Sequence, residues 1–391
     1  MQGWRRFMED SHSIELMEEA APGIYAVFDG HGGREVALFC SNYFVRELKS
    51  LPSFKEGNYQ EAIRQTFHKI DQLLTDENYI EELEALRHPE EIKTESEELH
   101  SDSHAVKKLF SIAKQFSNFS KNNEVEQLEN QIRSPQSTVE TLEPQTASEL
   151  LENGIILDKN ENLKRFYTPE GPHPSNANTL DLAAEESTHT EKFSCVDNEK
   201  VCNLPEHRVK AGCTAVVALV DDNHVTVGWA GDSRAVICKN GVAFALTRDH
   251  KPDHLEERAR IQKAGGFVEN ICGQYRANGN LNLSRAIGDL KYKQNKSLGL
   301  AEQIITAEPE LSVVRRERDH EFLIIACDGV WDVLSNQEAC DFVRSRLQGN
   351  QTPTVEKIVE ELLDRCVSSS PTLSKGVGCD NMTCVILFFK K

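Results

Sequence analysis

The chain has 391 residues, 39% of them apolar, and a formal net charge of −19. That length allows a packed core in one large domain or two ordinary ones; the acidity argues against a basic face for nucleic acid, and no apolar run approaches the roughly 20 residues needed to span a bilayer. Eleven scattered cysteines without a Cys-x-x-Cys pair argue against a disulfide framework and a zinc site, and favour a reducing compartment, nucleus or cytoplasm.

Met1 is followed at once by Gln2-Gly3-Trp4-Arg5-Arg6, so no secretory h-region opens the chain. The run Ile24 to Phe28 reads as a buried strand closed by Asp29, with Gly30-His31-Gly32-Gly33 next. Arg34 to Leu48 and Tyr59 to Leu86 carry helical apolar spacing. Residues 88–207 differ in kind: Glu, Ser, Thr, Asn and Pro dominate, and 23 acids stand against 11 bases. A disordered acidic insertion is expected there, with at most short helical pieces such as Lys107 to Phe119. It is either a solvated spacer or a docking or regulatory segment, one that mimics a substrate or engages basic proteins.

Beyond it, Cys213 to Val220 is a continuous apolar run and predicts a buried strand. Asp221-Asp222-Asn223 turns the chain, and alternating Val225, Val227 and Trp229 predict a half-buried strand. Asn240-Gly241 between Arg234–Cys238 and Val242–Leu246 predicts a tight hairpin. Asp253 with Glu256, and Ser335 with Glu338, have capping-box spacing before helices at Leu255–Ala264 and up to Leu347. Phe322 to Cys327 is a second apolar strand closed by an acid, Asp328, with Gly329 next, and Asp380 precedes the last strand, Met382 to Phe389. Strands joined by short turns, with helices in separate runs, predict an α+β fold: a β-sandwich of antiparallel sheets covered by helices.

Glu9, Asp10, Asp29, Asp232, Asp328 and Asp380 are all hard oxygen donors. A carboxylate at the end of a buried strand is costly to desolvate and demands a partner. Such donors suit Mg²⁺ or Mn²⁺, and their wide spacing excludes an EF-hand loop. An aspartate bridging two divalent ions holds water poised for attack, and Asp29 is best placed to bridge, with the Gly30 carbonyl beside it. Arg5 offers a bidentate clamp for phosphate, and His31 a proton for a leaving alkoxide. Cys40…Arg46 and Cys340…Arg346 match Cys-x5-Arg but lie in helical runs without a phosphate loop, so they read as chance. Phe28 and Trp331 read as core and Arg285 as a structural partner; Asp289 and Asp332 stay open between structural and supporting roles.

Eight segments in order resemble the motif series of the protein phosphatase 2C family, the metal-dependent protein phosphatases. They are Gln2-Gly3-Trp4-Arg5…Met8-Glu9-Asp10, Val27-Phe28-Asp29-Gly30-His31-Gly32-Gly33, Gly212-Cys213-Thr214-Ala215-Val216 and Ala230-Gly231-Asp232-Ser233-Arg234, then Asp249-His250-Lys251-Pro252, Leu283-Ser284-Arg285-Ala286-Ile287-Gly288-Asp289, Ala326-Cys327-Asp328-Gly329-Val330-Trp331-Asp332 and Cys379-Asp380-Asn381-Met382-Thr383. The acidic insertion resembles the gamma branch of that family. The resemblance implies two stacked antiparallel sheets between helical layers, αββα, built from 1–87 and 208–391 as one discontinuous catalytic domain. It implies a protein serine/threonine phosphatase, expected to be a monomer, acting on phosphoserine and phosphothreonine proteins. The implied reaction is direct attack of a metal-activated water, without a phosphoenzyme. The implied metals are two Mg²⁺ or Mn²⁺ ions on Asp29, Asp328, Asp380, the Gly30 carbonyl and Glu9, with a weaker third on Asp232 and Asp328. Arg5 would bind phosphate, His31 would be the general acid, and Asp10, Thr214 and Asn381 would support them.

One departure stands out. The family has a strand before Gln-Gly-Trp-Arg, whereas this sequence starts at Met1. The part carrying Arg5 and Glu9 is therefore expected to be weakened. The competing expectation is a catalytically weak or inactive scaffold that binds partners through its acidic insertion.

Overall fold

Among the described residues ten of the twelve strands lie in two antiparallel sheets, and one of the ten is a two-residue strand at the side of the first sheet. In the computed structural model, which describes residues 1–17, 21–87, 204–347 and 354–389, the first sheet runs β1 (Ser11–Glu15), β2 (Gly23–His31), β3 (Gly212–Val220), β4 (His224–Ala230), β10 (Glu310–Arg315), and the short β9 (Ile287–Gly288) pairs with β3. The second runs β12 (Cys384–Phe388), β11 (His320–Ala326), β5 (Arg234–Lys239), β6 (Val242–Ala245). β7 (Val268–Ile271) and β8 (Gln274–Ala277) form a separate hairpin. Six helices longer than a turn are described: α1 (Glu35–Ser50), α2 (Tyr59–Leu73), α3 (Ile80–Arg87), α4 (Leu255–Lys263), α5 (Asn336–Leu347) and α6 (Val355–Cys366).

Strand alternation explains the layers. Side chains two apart share a face, so a strand covered on both sides must be apolar throughout. In β2, Ile24, Ala26 and Phe28 pack under α1 and α2, while Tyr25 and Val27 face the second sheet. In β11, Phe322, Ile324 and Ala326 pack under α5 and α6, while Leu323 and Ile325 face the first sheet. The result is the expected four-layer αββα sandwich. Phe44 joins Phe28 and Phe67, with ring centroids 5.7 and 5.3 Å away, and all three are fully buried. Each such ring contributes about 2–3 kcal/mol by burial.

Several local expectations hold. Asn240 and Gly241 take positive φ of 48° and 80°, as the tight hairpin between β5 and β6 requires. Asp221 accepts from the Asn223 and His224 amides to close its turn. Ser335 and Glu338 exchange side chain–backbone hydrogen bonds as a capping box.

Others are corrected. β4 is buried on both faces from Val225 onward, not half-buried, because α2 covers it; a Cβ at Gly228 would collide with Ile63. The helical pattern from Tyr59 to Leu86 breaks after Leu73, where Asp76 accepts from the Asn78 amide and starts a new turn before α3. The Asp253–Glu256 box does not form. His254 stands at the cap of α4 without a side-chain bond, and Glu256 pairs with Arg248 instead.

Residues 88–203 of the expected insertion lie outside the described residues. Leu204, inside that expected span, packs against the cluster around Ile261 and Tyr292. The two flanks share one sheet: β2 pairs with β3 over nine positions, Gly23↔Val220 to His31↔Gly212.

Candidate metal centre

Four strands place the acids at one end of the sandwich. β2 carries Asp29 opposite Thr214 in β3. Asp232 lies in the turn between β4 and β5, Asp328 follows the end of β11, and Asp380 precedes β12. Asp29 has the parity of Tyr25 and Val27, so its carboxyl emerges where the inter-sheet core ends. Asp328 starts the helical turn Asp328–Trp331, and Asp332 follows one turn later on the same side.

Of the three groups among the described residues whose donor atoms lie within 4.8 Å of one another, two are at this end, Asp29, Asp232 and Asp328, and Asp10, Asp29 and Cys327; the third is Glu317, Asp319 and His320 where β11 begins. Glu9 and Asp380 are in none of them. Burial and neighbouring carboxylates push Asp29 and Asp328 far above the usual carboxylate range. Burial pushes Asp10 upward as well, against hydrogen bonds from Thr383 and Cys327. One oxygen of Asp10, Oδ1, is buried without a hydrogen-bond partner. Crowded carboxylates with an orphaned oxygen are the electrostatic opposite of a finished ion pair, and divalent cations fit that donor set.

Lys251 supplies part of the missing charge through its ammonium, which pairs with Asp232. Burial works against that charge, yet Asp232 and Asp328 raise the lysine overall. Burial raises Asp332, with Lys251 opposing. Arg5 donates from Nη2 to Asp380 Oδ2 at 2.6 Å, and its side chain is 61% exposed. Arg5 therefore engages Asp380 rather than Glu9, because residues 1–10 are not helical.

Gly30 is required sterically. A Cβ there would collide with the Glu9 carbonyl oxygen, so the segment carrying Glu9 lies directly on the Asp29-Gly30 backbone. Asn381 fixes that segment. Its Oδ1 accepts from the Glu9 amide at 2.8 Å, and its Nδ2 donates to the Gln2 and Phe7 carbonyls at 2.8 and 3.1 Å. The Met1 amino group donates to the Met382 carbonyl and the Met382 amide donates to the Met1 carbonyl, while the Trp4 amide donates to the Cys379 carbonyl. The part carrying Arg5 and Glu9 is thus clamped to residues 379–382.

His31 closes the other side. Its Nε2 meets Asp289 Oδ2 at 2.7 Å, and the histidine is about one quarter exposed. Burial opposes its charge, but Asp289 outweighs burial and raises the imidazole above its ordinary value. Asp289 takes a left-handed backbone with φ 51°, and its amide donates to the Ala211 carbonyl. The neighbouring Gly288 amide donates to Asp71, which pairs with Lys293. Gly212 leaves room for the pair, since a Cβ there would strike both Asp289 and His31. Thr214 bonds the Ser233 hydroxyl at 2.7 Å beside Asp232.

The geometry thus gathers Asp10, Asp29, Asp232 and Asp328, with Arg5–Asp380 and His31–Asp289 beside them. Sequence reasoning gave no role to Lys251 or Cys327 and left Asp289 and Asp332 open. Of these, only Asp332 carried a local signal, its i,i+4 spacing from Asp328. Phe28 and Trp331 are core, and Trp331 donates to the Ala326 carbonyl. Cys40 and Cys340 are fully buried in α1 and α5, as chance matches should be.

A guanidinium and an imidazole flanking buried, like-charged carboxylates suit a metallohydrolase of anionic esters. The family model of Protein phosphatase 2C matches residues 1–88 and 93–372. The rice "Probable protein phosphatase 2C 11" is 34% identical over 391 residues, spanning 100% of this chain and 84% of that protein. Mouse "Protein phosphatase 1G" is 33% identical over 478 aligned residues, spanning 100% and 87%. A crystal structure of serine-threonine phosphatase 2C from Toxoplasma gondii superposes with TM-score 0.56 at 18% identity, covering 99% of this chain and 92% of that one. The chain belongs to the protein phosphatase 2C family, whose members depend on metal, and it is a protein phosphatase, a phosphoric monoester hydrolase. The similar identities to the rice and mouse proteins do not single out one branch of the family.

Proposed function

We propose that the protein removes phosphate from phosphoserine and phosphothreonine in proteins, using two Mg²⁺ or Mn²⁺ ions and a weaker third. Asp29, Asp328, Asp380, the Gly30 carbonyl and Glu9 would hold the first two, and Asp232 with Asp328 the third. Bound there, such ions neutralise phosphoryl oxygens and lower the pKa of a water nucleophile. The single observation that carries this reading is the Asp29–Asp232–Asp328 cluster, Asp232 buried and the other two half-buried, with donor atoms within 4.8 Å and both Asp29 and Asp328 pushed far upward.

The chain's own residues do the rest. Arg5, largely exposed, offers its remaining N–H groups to a phosphoryl oxygen while Asp380 fixes the guanidinium. His31 retains a proton because Asp289 favours the imidazolium, and it donates that proton to the departing serine or threonine oxygen. Asp10 is held by Thr383 at 2.8 Å and Cys327 at 3.3 Å, and Asn381 positions Glu9. On this reading 1–87 and 208–391 form one catalytic domain, supported by the β2–β3 pairing across the two flanks. Residues 88–207 form an insertion whose acidity suits basic proteins.

Phosphate release from a phosphothreonine peptide tests the reading. Release is expected with Mn²⁺, absent with EDTA and restored by excess Mn²⁺. Equal release with and without EDTA would remove the metal role and the reading with it.

A further inference from the structure

Beside the metal centre the surface changes sign. Phe7 is 54% exposed, an unusual setting for a phenyl ring whose backbone is fixed by Asn381. Two guanidiniums lie on its ring, Arg6 at 5.7 Å and Arg34 at 5.9 Å from the centroid. Arg6 and Phe7 directly follow Arg5, and Arg34 lies three residues beyond His31, so the trio borders both groups that flank the acids. Gln2 steadies the segment by donating from Nε2 to the Arg5 and Arg6 carbonyls at 2.8 and 3.0 Å.

Neither arginine has an ion-pair partner among the described residues, although the chain holds 63 acids against 44 Lys and Arg. In the helices that follow, by contrast, Arg46 pairs with Glu47, Arg64 with Glu308 and Arg87 with Glu35. The contact with Phe7 uses none of the guanidinium N–H groups, so these remain for a carboxylate.

We propose that Arg6, Phe7 and Arg34 form a docking rim for an acidic side chain close to the phosphorylated residue of a protein substrate. The inference rests on the phosphatase reading and adds a substrate preference to it. Charge complementarity names the occupant. Arg5 receives the phosphate, and the two free guanidiniums beside it attract a neighbouring glutamate or aspartate and repel a lysine. The rim is a feature of Arg6, Phe7 and Arg34 themselves and needs none of the metal-binding acids.

The test uses the full chain, Mn²⁺ and two phosphothreonine peptides that differ only in glutamate or lysine on both flanks. A small aryl phosphate is the control that cannot reach the rim. The unsubstituted protein is expected to favour the glutamate peptide through KM. Arg6→Ala with Arg34→Ala should raise KM for that peptide about five- to tenfold with kcat unchanged. It should leave the aryl phosphate rate intact, which also reports correct folding. Phe7→Leu, retaining both charges, should lose a smaller part of the preference, and added salt should weaken the preference in the unsubstituted protein.

Equal effects on both peptides, or an unchanged preference, would overturn the docking rim. So would activation by the double variant on every substrate, which would mean that the rim is occupied by the chain's own acidic segment. Absence of metal-dependent aryl phosphate hydrolysis in the unsubstituted protein would instead strike the phosphatase reading beneath it.

Discussion

Two buried clusters of charge in this protein are built to opposite rules. Around Glu257 every charge has its counter-charge. Glu257 accepts from Arg260 at 2.7 Å, from Arg285 at 2.6 Å and from the Ser284 hydroxyl at 2.6 Å. The two arginines extend to the Gln303 and Glu308 carbonyls, and Arg285 also reaches Glu310. Burial works against the glutamate's charge, yet these partners bring its pKa down to about 2. Around Asp29 the carboxylates face one another, Lys251 is engaged by Asp232, and the shifts go upward. The first cluster is complete without a ligand and the second is not. That contrast, more than burial or acidity alone, separates a structural ion network from a binding site.

The largest expected effects sharpen this contrast from the incomplete side. Asp29→Asn or Asp328→Asn should lower metal-dependent phosphate release on the order of 10⁴-fold, since each removes a ligand on which the centre depends. In EDTA the same variants should unfold at a higher temperature than the unsubstituted protein, because a repelling charge is gone. Near-normal turnover, or a lower unfolding temperature in EDTA, would break the comparison at this end.

The complete cluster should respond in the other direction. Glu257→Ala leaves Arg260 and Arg285 buried without their partner, and should cost about 3–5 kcal/mol in denaturant unfolding at pH 7. Metal dependence of the remaining folded enzyme should not change. The pH dependence follows from the sign of the shift. Glu257 has a folded-state pKa of about 2 against an ordinary 4.5, so its contribution is fully present above about pH 4.5. It is lost as pH falls toward 2, a change of about 3 kcal/mol. Glu257→Gln should flatten that part of the acid limb. A variant that unfolds on acidification just as the parent does would show that the cluster does not carry this stability.

Legibility in the sequence followed the range of the interactions. Asp29 and Asp328 were visible because an apolar run, an acid and a glycine are contiguous, and the strand assignments followed from alternation within a few residues. Lys251 was not visible as a partner, because its contact with Asp232 depends on how the loop after β6 returns to the turn before β5. Asp289 was likewise hidden: its reach to His31 depends on a left-handed backbone held by Ala211 and on Asp71 in a distant helix. β4 read as half-buried because nothing in its own sequence reports that α2 lies over Gly228. The Asp253–Glu256 pattern failed for a similar reason, since Arg248 takes Glu256 and leaves the cap empty. Local chemistry announced the metal acids, and tertiary contacts chose the groups that serve them.

The smallest effect separates the two groups flanking the acids. On the proposed reading Arg5 binds phosphate whatever the leaving group, whereas His31 matters in proportion to how badly the leaving oxygen needs a proton. His31→Gln should slow release from phosphothreonine peptide about 100-fold and from an aryl phosphate about tenfold or less, because an aryl oxide leaves without much protonation. Asp289→Asn should imitate it more weakly on the peptide, since it removes the carboxylate that holds the imidazole proton while leaving the ring in place. Arg5→Ala should slow both substrates alike. Equal losses on both substrates for His31→Gln would reduce the His31–Asp289 pair to an ordinary buried ion pair, of the same kind as the one at Glu257.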